Sequence, residues 1–314
     1  TFSGRRGQPR LQALPQRLFG IMSNQLLIAI PFFTFMGLIL ERSGMAEDLL
    51  DSIGQLFGSL RGGIAYAVIF VGALLAATTG VIAASVIAMG LISLPVMLRY
   101  GYSKQLASGV ICASGALAQV IPPSIVLIVL ADVLGASVGD MYLGALIPGG
   151  MLVLMLMAYV AVASFFKPGL APALPLQART LRGGALLARV MRVMMPPLVL
   201  IFLVLGTIFM GIATPSEGGA MGAAGALALA AAKRRLTWKA MREALESTTR
   251  LASFVMFILI GSTVFALTFR AVNGDLWVEH LFDIVPGGAV GFLVVVNLIV
   301  FILGFFLDWI EITL

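Results

Sequence analysis

The chain has 314 residues, of which 60% are hydrophobic and 11% are charged, and its formal net charge is +6. Soluble domains carry about 25% charged residues, so this composition excludes a soluble globule and with it a nucleic-acid-binding domain, whose basic face needs a soluble scaffold. Because lipid admits only helices and closed barrels, and the apolar stretches have the length of helices, we predict an all-α polytopic membrane protein.

The first residues in chain order are polar and contain two prolines, so we predict a loop over residues 1–22. A membrane span is predicted at residues 26–40. Residues 43–60 place apolar side chains at helical spacing, which is typical of an amphipathic helix at the membrane interface. Residues 23–60 are therefore expected to form a span followed by an interfacial arm helix.

Residues 63–98 are apolar over a length too great for a single span, and Arg61 and Arg99 flank them. If both arginines lie on the cytoplasmic side, as basic residues near membrane spans tend to do, the segment enters and leaves on that side. We therefore predict a re-entrant hairpin with its tip near Thr78, Thr79 and Gly80. A pair of very short spans is the alternative.

Residues 105–134 would form one span but for the sequence Ile121-Pro122-Pro123-Ser124 at their centre. Two successive prolines remove two backbone donors and break a helix. Such a break is tolerated inside a membrane where the freed carbonyl groups face protein or a hydrated cavity; a simple packing kink is the alternative. We expect residues 61–134 to form a transport core made of the hairpin and this broken helix.

Residues 135–250 are predicted to be connecting scaffold helices, with the basic segment 233–250 at the interface. In the turn before the helix predicted at 218–232, we expect Thr214 or Ser216 to cap the helix, with Glu217 favourable at its N-terminus, rather than a ligand-binding site. Residues 251–314 repeat the earlier pattern of span, amphipathic helix and apolar run, offset by about 225 residues, as expected of an inverted repeat. The chain starts in a polar stretch and stops within an apolar run, so we expect a fragment with both ends missing, truncated in the second hairpin of this repeat.

Hairpin tips and broken helices offer carbonyl oxygens, with Ser and Thr hydroxyls beside them, and hard cations prefer such ligands. An acidic residue deep in an apolar run is also a functional candidate. The candidate cation ligands are Thr78, Thr79, Gly80, Ser85, Ser114, Gly115, Ile121, Pro122, Pro123, Ser124 and Asp308. As alternatives, the Ser114 and Ser124 hydroxyls bond to their own helix, and Asp308 lies at a wet hairpin tip.

The sequence lacks the means for several other functions. It contains one cysteine and one histidine, so we expect no transition-metal site and no Cys–His nucleophile pair. No phosphate-binding loop or hydrolase motif is present. We therefore predict neither an enzyme nor a transporter that is driven by ATP within this chain.

Six segments, taken in this order, resemble the large membrane subunit of tripartite ATP-independent periplasmic (TRAP) transporters. They are ATTGVIAASV at 77–86, LPVM at 94–97, ASG at 113–115, QVIPPSI at 119–125, IATPSE at 212–217 and GFFLD at 304–308. Within this family, the sequences of these segments are most similar to the branch named for mannitol and chloroaromatic compounds. Many members have a Ser-Gly-Ser run where this chain has Thr78-Thr79-Gly80.

The resemblance implies an elevator-type sodium symporter of the bacterial cytoplasmic (inner) membrane that imports organic anions, typically carboxylates. It implies Na+ as the coupling ion with no other cofactor. The implied partners are a small DctQ-like membrane subunit and a periplasmic substrate-binding protein. By position, Thr78–Gly80 and Ser114–Ser124 correspond to one sodium site, and Asp308 to the start of the second hairpin tip.

The resemblance also places Thr79, Ser124 and Asp308 near the substrate. A stand-alone sodium/anion symporter and a membrane scaffold without flux remain as alternatives to the TRAP subunit.

Overall fold

The computed structural model describes residues 14–79, 82–179, 183–283, 285–307 and 309–313. This described part of the chain is helical and has no strand. Its contacts divide the chain into two compact units, Leu26–Thr249 on one hand and Thr1–Gln25 with Arg250–Leu314 on the other. The division at Thr249 lies close to the start of the second repeat that we predict at residue 251.

The helices follow the predicted segments closely. They are α1 (Leu14–Met22), α2 (Ala29–Arg42), α3 (Met45–Leu56), α4 (Gly63–Thr79), α5 (Ile82–Arg99), α6 (Lys104–Ala116), α7 (Ile125–Leu134), α8 (Val138–Phe166), α9 (Gly183–Phe209), α10 (Pro215–Ala232), α11 (Trp238–Ala271), α12 (Gly274–Asp283), α13 (Gly288–Leu303) and α14 (Trp309–Thr313). Within the described ranges, four helical segments are long and apolar enough to cross a membrane: Gln25–Arg42, Val138–Phe166, Gly183–Phe209 and Trp238–Ala271. A polytopic all-α membrane protein is confirmed.

Two segments differ from the prediction. Residues 14–22 form α1 rather than a loop, because Pro15 lies in the first turn, where a helix does not need its N–H, and Leu14, Leu18 and Ile21 recur at helical spacing. The interfacial segment and the span predicted around Arg250 are parts of one continuous helix, α11. No proline or glycine interrupts residues 238–260, so nothing in the backbone ends the helix there.

Helices α4 and α5 pack against each other in the larger unit. In the first turn of α4, the backbone N–H of Ile64 donates a hydrogen bond of 3.1 Å to the hydroxyl of Tyr102, which lies just beyond the end of α5. The chain therefore returns at residue 102 to the place where α4 began, and the two helices form a hairpin. Residues 80 and 81, between them, lie outside the described residues. The side of the membrane on which the hairpin opens stays a prediction.

Helix α3 is amphipathic, with Met45, Leu49 and Ile53 buried and Glu47 and Asp51 exposed. This alternation matches the arm helix that we predict at residues 43–60. The buried face packs mainly on α4 and α9, so the arm helix lies directly beside the hairpin.

A glycine turn joins α2 to α3. Gly44 has a φ of +68°, which costs little at a residue without a Cβ. One guanidinium nitrogen of Arg235, Nη1, donates to the carbonyl oxygens of Ser43 and Gly44 at 3.1 and 3.0 Å. A Cβ at residue 44 would lie 2.6 Å from this nitrogen. The turn therefore needs glycine both for its backbone angle and for the arginine that covers it.

Ion pairs join the polar face of α3 to other segments of the larger unit. Asp48 pairs with Lys233 at 3.7 Å and with Arg235 at 3.1 Å, and Asp51 pairs with Arg189 at 2.7 Å. Each exposed pair of this kind contributes about 0–1 kcal/mol. The pairs therefore fix the orientation of the arm helix more than they stabilise the fold.

Helix α10 approaches α2 through small residues, as the Gly/Ala-rich sequence predicts. A Cβ added to Gly222 would lie 2.5 Å from the sulfur of Met36, and one added to Gly219 would lie 3.0 Å from the Cβ of Phe32. Neither position leaves room for a side chain. Helix α10 therefore packs closely on α2.

Candidate functional site

The predicted break between residues 105 and 134 is present. Helix α6 ends at Ala116, a short 3₁₀ helix covers Leu117–Gln119, and α7 begins at Ile125. Residues 120–124 have no helical structure, and the Pro122–Pro123 peptide bond is cis. The segment is therefore two separate helices rather than one kinked helix.

The break leaves backbone oxygens without hydrogen bonds. The N–H groups of Val120 and Ile121 both donate to the carbonyl of Leu117 at 3.0 Å, while Pro122 and Pro123 have no N–H. Within the described part of the chain, the carbonyl groups of residues 120–123 accept no hydrogen bond. Buried carbonyl groups are usually paired, and both prolines are buried. These oxygens are therefore available as ligands.

Three predicted serines are buried, with exposed fractions of 0% for Ser114 and Ser124 and 1% for Ser85. The Ser114 hydroxyl donates to the Ile111 carbonyl of its own helix at 3.0 Å, as its alternative interpretation predicts. The Ser124 hydroxyl instead donates across the break to the Gln119 carbonyl at 2.6 Å. A hydroxyl that donates its hydrogen keeps two lone pairs. Both oxygens can therefore still face a cation.

Helix α7 begins at the break without a side-chain cap. Its N-cap residue, Ser124, has extended backbone angles but makes no capping hydrogen bond, because its hydroxyl turns back to Gln119. The first N–H groups of a helix carry a partial positive charge. The buried, uncapped N-terminus of α7 thus lies beside the carbonyl oxygens that accept no hydrogen bond.

The hairpin packs directly on the end of α6. A Cβ added to Gly72 of α4 would lie 2.7 Å from the Cβ of Ser114. A Cβ added to Gly115 would lie 2.3 Å from Cγ2 of Val86 on α5, and 3.1 Å from the backbone nitrogen of Val86. Ser85 precedes Val86 in the chain. The structure therefore brings together three predicted residues, Ser85, Ser114 and Gly115, where the two hairpin helices meet α6.

Helix α8 lies against the break itself. A Cβ added to Gly149 would lie 3.7 Å from the carbonyl oxygen of Val120 and 3.4 Å from Cγ1 of Ile121. Leu117 and Ala118 pack against Val153 of the same helix. Helix α8 thus covers one side of the break, and the hairpin packs on the end of α6 that precedes it.

The structure describes the remaining predicted residues only in part or not at all. Thr78 and Thr79 form the last turn of α4, and their side chains are not described. Thr79 lies seven residues beyond Gly72, about 10 Å along the helix axis. Gly80 and Asp308 lie outside the described residues, so their part in a site stays a prediction.

Sequence reasoning missed two glycines that shape the site, Gly72 and Gly149. Each sits in a long apolar helix, where glycine costs about 1 kcal/mol relative to alanine, and this cost is a signal of close approach. The sequence alone could not name the partner that approaches.

A second break that contains proline, at Thr214-Pro215-Ser216-Glu217, is fully capped. The Glu217 N–H donates to the Thr214 hydroxyl oxygen at 3.3 Å, and the Thr214 N–H donates to the Glu217 carboxylate at 2.8 Å. These reciprocal bonds form a capping box at the start of α10. The prediction of capping here is confirmed. The Thr214 N–H and the Thr214 hydroxyl both donate to the exposed Glu217 carboxylate, at 2.8 and 2.9 Å, and these two bonds lower the pKa of that carboxyl.

Comparison with known proteins identifies the family to which the sequence is similar. The family model described as "Tripartite ATP-independent periplasmic transporter, DctM component" matches residues 2–314. The C4-dicarboxylate TRAP transporter large permease protein DctM of Pseudomonas aeruginosa is 32% identical over 304 residues, which cover 95% of this chain and 68% of that protein. The protein of the same name from Rhodobacter capsulatus is 30% identical, with 85% of this chain and 62% of that protein covered.

A more distant relative is the isethionate TRAP transporter permease protein DctMQ of Oleidesulfovibrio alaskensis. It is 26% identical, with 90% of this chain and 44% of that protein covered. The chain thus spans about two thirds or less of the length of these three relatives.

Proposed function

This chain belongs to the DctM family of tripartite ATP-independent periplasmic transporters, and we propose that it forms part of the large permease subunit of a sodium-driven secondary transporter. The transporter imports a small organic anion of the carboxylate class. The observation that carries the proposal is the buried break at residues 120–124, where backbone oxygens have no hydrogen bond and the hairpin lies alongside.

Sodium ions are the proposed driving ions because the break supplies oxygen ligands alone. The proposed ligands are the carbonyl groups around Ile121, Pro122 and Pro123, with the hydroxyls of Ser114 and Ser124. Hard cations prefer such oxygens over nitrogen or sulfur. The hairpin contributes Ser85 and the tip residues Thr78, Thr79 and Gly80, with Asp308 from the second repeat. A cation here would pair carbonyl groups that the fold otherwise leaves unpaired.

The anionic substrate is proposed to bind on the other side of the same break. The uncapped N-terminus of α7 offers N–H groups and a partial positive charge, which favour a carboxylate. The resemblance to the family is the reason to propose Thr79, Ser124 and Asp308 as substrate-binding residues. Because sodium and substrate would share one segment, each would raise the affinity of the other by the same factor.

The carboxylate class is supported by the names of the relatives, which are transporters of C4-dicarboxylates and of isethionate, a sulfonate. Both classes are small anions, so the shared feature is negative charge rather than carbon skeleton. Assignment to the mannitol/chloroaromatic branch stays a prediction. Neither the break nor the hairpin identifies one substrate.

The proposed assembly is tripartite, as the family description states. Its other members are a small DctQ-like membrane subunit and a periplasmic substrate-binding protein. The basic segments near residues 99–104 and 233–250 favour the cytoplasmic side, and the periplasmic partner in the family description supports a location in the bacterial inner membrane. The hairpin would move as an elevator while the arm helices, held by the ion pairs of α3, stay fixed.

Uptake into proteoliposomes tests the proposal. The full-length permease is reconstituted into liposomes with its small subunit. Radiolabelled C4-dicarboxylates or sulfonates are then added outside, bound to the binding protein. We expect uptake with an inward sodium gradient and none with a potassium gradient. Sodium-independent uptake would contradict the proposal. Full uptake without the binding protein would favour the stand-alone sodium/anion symporter, and a complete lack of flux with every anion would favour a membrane scaffold.

A further inference from the structure

A cavity of about 270 Å³ lies between the arm helix α3, the last turns of α5 and the segment 174–178. Its deeper wall is apolar and includes Leu50, Ile64 and Leu174, all of which are buried. Glu47 and Arg99 also line the cavity, and both are exposed. The cavity therefore combines an apolar floor with a charged mouth.

The two charges at the mouth have opposite signs, and neither is neutralised by the protein. Asp51, which also lines the cavity, pairs with Arg189 at 2.7 Å. Glu47 and Arg99, in contrast, form no ion pair or hydrogen bond within the described part of the chain. A ligand that carries both an anionic and a cationic group could therefore pair with both side chains at once.

The position of the cavity suggests the source of such a ligand. Helix α3 is amphipathic, and helices of this type lie at the level of the lipid headgroups. Arg99 closes an apolar helix, where arginine side chains reach toward the same level. Val96, next to the mouth, is 38% exposed and apolar. A phospholipid would thus meet the charged mouth with its headgroup and the apolar residues with its acyl chain.

We propose that this cavity binds the headgroup of a zwitterionic phospholipid with a primary amine, of the phosphatidylethanolamine type. The phosphate binds the Arg99 guanidinium, whose planar fork suits two phosphate oxygens. The ammonium group donates hydrogen bonds to the Glu47 carboxylate. Small-molecule pockets measure about 300–1,000 Å³, so a cavity of about 270 Å³ takes the headgroup and the start of one acyl chain rather than the whole lipid.

Such a lipid would join two structural elements. Helix α3 is tied by ion pairs to Arg189 and Arg235, whereas α5 belongs to the hairpin. A headgroup held by Glu47 of α3 and Arg99 of α5 would resist their separation. The proposal goes beyond sodium-coupled transport and depends only on the membrane location of the chain.

The corresponding junction of the second repeat gives an internal contrast. A cavity of about 440 Å³ there is lined by Glu279 and Asp283 of α12 and by Ala289 of α13. No basic residue is among the described residues that line it. Without a cation it offers nothing to a phosphate, and we restrict the proposal to the first junction.

Native mass spectrometry of the full-length transporter tests the proposal with phosphatidylethanolamine, phosphatidylcholine and phosphatidylglycerol of identical acyl chains. We expect the wild type to retain phosphatidylethanolamine best. Arg99→Gln should weaken the binding of both zwitterionic lipids about tenfold, since one charge-assisted contact is lost. Glu47→Gln should remove the preference for phosphatidylethanolamine over phosphatidylcholine, whose quaternary ammonium donates no hydrogen bond.

Two further variants make the result decisive. Lys104→Gln removes an exposed charge that does not line the cavity, and it should retain lipid like the wild type. Arg99→Lys keeps the charge and should bind with intermediate strength, which separates loss of contact from misfolding.

Equal retention by Arg99→Gln and Lys104→Gln would overturn the proposal. So would equal binding of phosphatidylglycerol by the wild type, or displacement of the lipid by equimolar phosphoethanolamine, which has no acyl chain. Because the readout needs neither sodium nor substrate, its failure is distinct from failure of the transport proposal.

Discussion

Two breaks in this chain contain proline, and they are built in opposite ways. At residues 120–124 the break is buried, its carbonyl groups accept no hydrogen bond within the described chain, and its N-cap serine leaves α7 uncapped. At residues 214–217 the break is exposed, and Thr214 and Glu217 satisfy each other in a capping box. Proline interrupts both segments, but only in the second break does a side chain cap the helix that follows.

The difference separates a break that ends a helix from a break that can bind a ligand. A turn exposed to water can be completed by local side chains at little cost. A buried turn with unpaired carbonyl groups carries a desolvation cost, and the protein retains it beside the hairpin. We infer that the unpaired groups of the first break are kept for an ion, and the following predictions test this difference.

The largest effect is expected where the end of α6, just before the first break, meets the hairpin. Gly115→Ala would place a Cβ 2.3 Å from Cγ2 of Val86 and 3.1 Å from its backbone nitrogen. We expect loss of most sodium-dependent uptake and a lower thermal unfolding temperature, since overpacking costs about 1–3 kcal/mol. Proteoliposome uptake and thermal unfolding of the full-length permease measure both.

Three controls sharpen this prediction. Gly109→Ala lies in the same helix with nothing within 4 Å of the added Cβ, and it should be harmless. Gly218→Ala, beside the second break, meets only the side-chain ends of Ile208 and Val204 and should cost less. Adding Val86→Ala to Gly115→Ala should restore part of the uptake. If Gly109→Ala were as damaging as Gly115→Ala, the packing of the hairpin on α6 would not be the cause.

The next effect concerns the oxygen ligands. Ser124→Ala removes a buried hydroxyl that bonds across the break to Gln119. We expect the sodium concentration for half-maximal uptake to rise about tenfold, which corresponds to the loss of roughly 1.4 kcal/mol of binding free energy. Sodium titrations of uptake at saturating substrate measure this shift.

Ser108→Ala is the matched control for Ser124→Ala. Ser108 also donates to a backbone carbonyl, that of Lys104 at 2.9 Å, but it is exposed on α6. Its loss should leave the sodium titration unchanged. An unchanged titration for Ser124→Ala as well would remove this hydroxyl from the proposed sodium site.

The sequence predicted where the breaks lie but not which distant residues pack around them. Pro122 and Pro123 predict the first break because proline lacks a backbone N–H donor, and this rule depends only on the local sequence. The contact of Gly72 with Ser114 joins residues that are distant in the chain, and no local rule names such a pair. The hairpin contact at Gly115 was likewise beyond sequence reasoning, although Gly115 itself was predicted as a ligand.

Local rules also explain the two segments that differ from the prediction. Pro15 suggested a loop, but a proline in the first turn is compatible with a helix, and α1 begins at Leu14. Charged residues before Arg250 suggested a separate interfacial segment. Charge, however, affects which environment the surface of a helix faces and does not determine where the helix ends. Helix α11 accordingly runs through that position without a break.

A smaller effect is expected at the second break. Thr214→Ala removes the N-cap oxygen that accepts from the Glu217 N–H. We expect a loss of about 1 kcal/mol in the free energy of unfolding and no change in the sodium titration, because this break is proposed to bind no ion. Thermal unfolding and uptake measure the two quantities. Thr214→Ser should keep the stability, whereas a shifted sodium response in Thr214→Ala would make the second break a ligand-binding site.

The smallest effect is a dependence on pH that belongs to the second break alone. Hydrogen bonds from the Thr214 N–H and hydroxyl lower the pKa of the Glu217 carboxyl below 4.5. A carboxyl whose pKa is lower in the folded state contributes stability above its unfolded pKa, and this contribution is lost as the pH falls through the folded pKa. Thermal unfolding of the wild type and of Glu217→Gln should therefore differ at neutral pH and converge in acid, once the pH lies below the lowered pKa of the folded carboxyl. The carboxyl is exposed, so the difference should be small and weaker in high salt. If the two unfolding temperatures stayed equally far apart in acid, the charge of Glu217 would not be what completes the cap. The second break would then differ from the first in its exposure and in the Thr214 cap, but not through a charged side chain.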